Sequence, residues 1–168
     1  MNIAEQLEDN TSSFLSIIKD IPDTLFFTKP SPTTWSVAEI TEHLIRSEFG
    51  MESLFMGSTE ESEDNRDSDA IIKAMQAKLL DRSKKANAPE ILLPQAVTKS
   101  KKDLVNEFSS IRKTLLSNIM AQNKQELCMK YPHPLFGYLT REEWTFSSIY
   151  HCQRHLLQVK EVLNHINN

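Results

Sequence analysis

Glycine is scarce in this chain of 168 residues, which has three glycines and seven prolines. That is too few for a protein built from sheets and tight turns. Cysteine occurs twice, at Cys128 and Cys152, outside any CxxC spacing. A disulfide framework is thereby excluded, and reduced thiols in a cytosol are expected. No apolar run exceeds three residues, so nothing can span a bilayer. A basic excess is also missing: 19 Lys and Arg stand against 23 Asp and Glu, a net charge of −4. The chain therefore has no broad attraction for nucleic acid or anionic membrane. Its start, Met1-Asn2-Ile3-Ala4-Glu5, lacks the basic-then-apolar pattern of a signal peptide, and a cytoplasmic protein is expected.

What is present favours helix. The stretches between prolines are full of Leu, Ile, Met, Lys, Glu and Gln, and the length suits one domain over residues 1–168 with a single core. The first helix is expected from Ile3 to Asp20, closed by Pro22. A loop from Thr28 to Thr34 leads to a second helix, opened by a Ser36–Glu39 capping box with Trp35 stapled onto Ile40. This helix is read as continuous through Met51 and Phe55. The acidic run Thr59 to Asp69 reads as a solvated loop and helix start. It lacks the ligand alternation and central glycine of a calcium loop. A third helix follows over about Asp69 to Ala86. Pro89 to Pro94 forms an extended linker lying against the body through its apolar side chains. The fourth helix runs from a Ser100–Asp103 cap to about Asn123. Tyr131 to Tyr138 is a structured loop, and a Thr140–Glu143 capping box opens the last helix, which reaches about Ile166. The expected class is all-α, and an up-down helix bundle is the simplest architecture for these segments.

Three histidines carry the strongest hint of chemistry. His151 and His155 are spaced i, i+4, which places them about 40° apart on one helix face. His43 flanks the apolar stripe of the second helix. Imidazoles beside an apolar stripe are costly when charged but suited to ligation when neutral. Two ligands from one helix and one from another would leave a coordination position open, as in catalytic zinc sites. The spacing also fits ordinary hydrogen-bonded core histidines. A metalloprotease helix is excluded, because Cys152, Gln153 and Arg154 stand between the pair where the catalytic Glu would be.

The stretch His133 to Trp144 (HPLFGYLTREEW), followed by Phe146 and by His151-x-x-Arg154-His155-x-x-Gln158, resembles the DinB-like superfamily, and most nearly its YfiT-type branch of metal-dependent hydrolases and thiol transferases. Thr34-Trp35-Ser36, Glu42-His43-Leu44 and Ala88-Pro89-Glu90 before Pro94 fit in the same order. The resemblance spans about residues 10 to 165. It implies an up-down four-helix bundle with one additional short helix or helical linker, often dimeric, with a divalent metal held by one histidine on the second helix and an HxxxH pair on the last. The matching positions here are His43, His151 and His155. Nickel or zinc is the implied ion; iron or manganese would also serve. The implied chemistry is hydrolysis, or transfer of a low-molecular-weight thiol to a small-molecule substrate. The competing expectation is a non-catalytic, stress-associated dimeric bundle with a structural or adventitious metal.

No general base is evident. Glu42 points about 100° away from His43 and is expected in solvent. Gln158 and Ser47, each one turn from a histidine, could orient an imidazole. His133 could lie near a pocket mouth or be an ordinary loop residue. His165 is expected exposed and Cys152 a buried, inert thiol. Arg154 is assigned a surface or dimer contact. Trp35 and Trp144 are assigned core and staple roles.

Overall fold

The computed structural model describes residues 1–83, 89–95 and 97–167. The end of the expected third helix, and Ala88 of the motif above, lie outside the described residues. Local chemistry sets the helix starts. Asn2 with Glu5 and Ser36 with Glu39 form reciprocal capping boxes for α1 (Ile3–Asp20) and α3 (Val37–Glu48). Between them lies a short α2 (Asp23–Phe27) beginning just after Pro22. Asp67 caps α5 (Ser68–Leu80), and Ser100 caps α6 (Lys101–Ala121). Before α7 (Arg141–Asn167), Thr140 Oγ1 accepts from the Glu143 amide while Glu143 Oε2 accepts from the Thr140 amide.

The expected second helix breaks at Phe49 and Gly50, leaving a separate α4 (Met51–Phe55). Glycine is a weak helix former, and here the Gly50 carbonyl accepts a 3.2 Å hydrogen bond from the Tyr131 hydroxyl. A Cβ at Gly50 would sit 2.8 Å from that hydroxyl oxygen. A two-residue antiparallel ribbon, β1 (Thr59–Glu60) with β2 (Leu127–Cys128), is a further departure. It ties the start of the acidic run to the α6–α7 connection. The acidic run is also anchored by Arg66, which grips the buried carboxylate of Glu143 at 2.6 and 2.8 Å.

Helices α1, α3, α6 and α7 form the four-helix bundle, with α1 and α3 each packed along both α6 and α7, while α5 lies along α7. The interior has two apolar clusters, one around Phe14, Leu44, Phe108 and Val159, the other around Leu7, Phe55, Ile119 and Trp144. A polar layer joins all four bundle helices. The Arg112 guanidinium of α6 donates to Glu48 Oε1 of α3 (2.6 Å) and to Asn10 Oδ1 of α1 (3.0 Å), and the Ser148 hydroxyl of α7 donates to the same Glu48 oxygen (2.7 Å). Among the described residues no helix is long and apolar enough to cross a membrane.

Candidate metal centre

His43 on α3 faces His151 and His155 on α7. The Nε2 atoms of His43 and His151 are 3.2 Å apart, and those of His155 and His151 are 3.0 Å apart. One nitrogen of each ring falls within a 4.8 Å cluster, so three donors from two helices meet at one point. His43 and His155 are buried and His151 is half-buried. Desolvation is the main force lowering all three pKa values, reinforced for His151 and His155 by mutual repulsion within the cluster; His155 is taken down to about 3. The imidazoles are therefore neutral at physiological pH, the form that ligates.

The opposite ring nitrogens decide which way the lone pairs point. His43 Nδ1 is 2.8 Å from the Leu92 carbonyl, which can only accept, so His43 carries its proton on Nδ1. His155 Nδ1 lies 2.8 Å from Gln158 Oε1. His151 Nδ1 faces Ser47 Oγ at 3.5 Å, while that hydroxyl donates to the Leu44 carbonyl at 2.9 Å and keeps its lone pairs for the imidazole. With every Nδ1 facing an acceptor, three Nε2 lone pairs converge with no hydrogen to share. Such a cluster repels itself unless a cation sits among the nitrogens. The donor set thus fits a divalent first-row ion, and the partners on Nδ1 are those that orient histidine ligands in metal sites.

Gln158 meets His155 on its own helix, as the spacing suggests, whereas Ser47, one turn from His43, reaches across the bundle to His151 instead. The Leu92 carbonyl was not legible, being a backbone atom 49 residues from its histidine. It is delivered by a 3-10 turn over Glu90–Leu92, where an extended linker was expected. The Ile91 and Leu93 side chains point outward instead of lying on the body. Contact is made by carbonyls, Leu92 to His43 and Ile91 to Arg46 (3.0 Å).

His133 does not join the three histidines. Its imidazole packs between Phe136 and Trp144, with ring centroids 5.1 and 5.0 Å away, and bonds to Ser147 one turn before His151. Burial lowers its pKa to about 4. Trp35 does more than staple: its ring lies 5.0 Å from His43 and stacks 6.4 Å from His155, walling one side of the cluster. Arg154, expected at a surface or dimer contact, donates to the carbonyls of Leu79 and Asp81. It thereby caps the C-terminal end of α5, where free carbonyls and the helix dipole favour a cation. Glu42 is not in open solvent, since its Oε2 is buried without a partner among the described residues. Cys152 is fully buried, and burial pushes its thiol up to about 12, so it stays protonated and inert. His165 is exposed.

Sequence reasoning passed over Asn10, Glu48 and Arg112. Their signal was present: each stands on an apolar stripe, Asn10 between Leu7 and Phe14, Glu48 between Leu44 and Met51, and Arg112 between Phe108 and Leu115. A polar residue in such a position implies a buried partner.

Residues 6–159 match the family model described as the DinB superfamily. The uncharacterized protein YuaE of Bacillus subtilis (strain 168) is 29% identical over 149 residues, covering 86% of this chain and 87% of that protein. Among solved structures, YfiT from Bacillus subtilis is described as a probable metal-dependent hydrolase with an unusual four-helix bundle topology. It superposes with a TM-score of 0.62 at 14% identity over 98% of this chain and 86% of that one. TT2238, a four-helix bundle protein, gives 0.57 at 15% identity over 95% of this chain and 96% of that one.

Proposed function

This chain belongs to the DinB superfamily, and from that premise we propose that it is a metal-dependent enzyme, with a divalent ion held by His43, His151 and His155. The reaction we assign is hydrolysis, or transfer of a low-molecular-weight thiol to an electrophilic small molecule. The observation that carries this reading is the convergence of three Nε2 atoms on rings whose Nδ1 atoms all face acceptors. YfiT, described as a probable metal-dependent hydrolase, has the same fold. Nickel or zinc suits three imidazoles, and supply can decide between them.

When bound, the ion supplies a Lewis acid that lowers the pKa of a coordinated water or thiol. The protein's own contribution is positional. Leu92, Ser47 and Gln158 hold the three rings in one tautomer and one orientation. Trp35 shields the cluster on the His43 and His155 side. The buried surroundings keep the histidines unprotonated.

Metal analysis of protein purified without a histidine tag tests the first link. One equivalent per chain is expected after loading, with loss of binding in His43→Ala and His155→Ala. A substoichiometric ion in the loaded wild type overturns the reading. Turnover of an electrophile with and without added thiol then separates the two reactions, because thiol-independent turnover removes the transferase version. A non-catalytic bundle instead predicts that His155→Ala lowers stability without removing any activity. The same reading includes a homodimer, which the molecular mass in solution tests.

A further inference from the structure

We propose that Ser147, one helical turn before His151, and Trp144, both backed by His133, form a hydrogen-bond-donating pocket that takes a negatively charged or carbonyl oxygen of the substrate held at the three histidines. The proposal rests on the metal-centre reading above and adds to it a substrate-recognition element. Loop 131–138 is built to hold His133 still. His133 and Gly137 exchange both backbone hydrogen bonds, at 2.7 and 3.1 Å, and Gly137 takes the left-handed φ of 72° that the closed loop requires.

The tautomer of His133 follows from its neighbours. The Leu135 amide, which can only donate, is 3.1 Å from Nδ1. Burial keeps the ring neutral, so the proton sits on Nε2, which donates to Ser147 Oγ at 3.1 Å. Ser147 therefore accepts, and its own hydrogen is left over. Thr41, Ser47 and Thr145 spend their hydroxyl hydrogens on a carbonyl of their own helix. Among the described residues Ser147 has no such bond. The indole N–H of Trp144, buried and packed on His133, also has no partner among the described residues. Two buried donors thus flank the same imidazole without an acceptor, a state that costs free energy unless a ligand oxygen supplies one.

Position makes that ligand a substrate of the metal centre. Ser147 stands i−4 from His151 on α7, so their side chains start about 6 Å apart on the same face. A carboxylate or acyl group with one oxygen at the histidines would direct its other oxygen along that face. The loop also reaches the break between α3 and α4 through Tyr131 to Gly50, and α5 through Phe136 beneath Lys78. The Glu90–Leu92 turn bonds to His43 and Arg46 on α3.

The test uses the full-length protein loaded with cobalt(II), titrated separately with acetate and iodide while the visible metal spectrum is followed. Acetate has a second oxygen that the donors could reach; iodide has none. Ser147→Ala and Trp144→Phe are each expected to weaken acetate about tenfold, the scale of a hydrogen bond to a charged group. Iodide binding should be unchanged in both, and Ser147→Thr should retain acetate affinity. Wild-type acetate affinity in Ser147→Ala overturns the donor pocket and leaves the metal centre standing. Equal weakening of acetate and iodide overturns it as well, because the substitution then acts on the ion site itself. Failure of the wild type to take up cobalt overturns both.

Discussion

Replacing Arg112 with Met should be among the most damaging single changes in this protein, with an effect that depends on pH in a defined direction. The side chains of Arg112 and Glu48 are 1% and 2% exposed and meet at 2.6 Å. Arg112 also supplies the donor for Asn10 Oδ1 and stacks 5.0 Å from the Phe108 ring. Methionine fills much of the space but leaves the Glu48 carboxylate buried without a counter-charge. Removing one partner of a buried pair costs about 3–5 kcal/mol. For a chain of this size that corresponds to a fall in Tm of about 6–20 °C. Burial already raises the Glu48 pKa, against the opposing pull of Arg112 and Ser148. Loss of Arg112 must raise it further. A carboxyl whose folded pKa exceeds its unfolded value takes up a proton on folding, so stability falls as pH rises from the unfolded value through the folded one. The penalty of Arg112→Met should therefore be larger at pH 8 than at pH 5. Urea denaturation at both pH values measures it, and Glu48→Met combined with Arg112→Met should recover much of the loss. A penalty below about 1 kcal/mol, or one that grows at low pH, would refute the reasoning.

Two further outcomes concern the histidines. Ser47→Ala and Gln158→Leu should each weaken metal binding about 10- to 100-fold while leaving all three ligands in place, as expected for groups that hold a ligand's other nitrogen; unchanged affinity by competition with a chelator would show that these contacts do not orient the rings. In metal-free protein, His155 and His133 titrate at about 3 and about 4 when folded, against about 6.5 unfolded. The unfolded chain thus binds protons that the folded one refuses. Stability should be complete above pH 6.5 and decline below it, by up to about 1.4 kcal/mol per pH unit for each such histidine. Thermal melts in chelator at pH 7.5 and pH 5 would show this, and equal Tm values would contradict it.

Features that depend on residues close in the chain were legible without coordinates. Capping boxes such as Ser36–Glu39 and Thr140–Glu143 set helix starts through bonds three residues apart. The i, i+4 spacing puts His151 beside His155, and the i, i+3 spacing puts Gln158 beside His155. These follow from helical geometry and need no partner from elsewhere. Tertiary structure alone decided what reaches each helix from a distance. It brought a backbone carbonyl 49 residues away onto His43, and Tyr131 onto Gly50, where the second helix breaks. It joined Asn10, Glu48, Arg112 and Ser148 in one buried layer, and placed His133 on Ser147 instead of among the ligands. A carbonyl carries no residue identity, and a polar side chain on an apolar stripe shows only that a partner is needed. Which partner answers is settled when the helices pack.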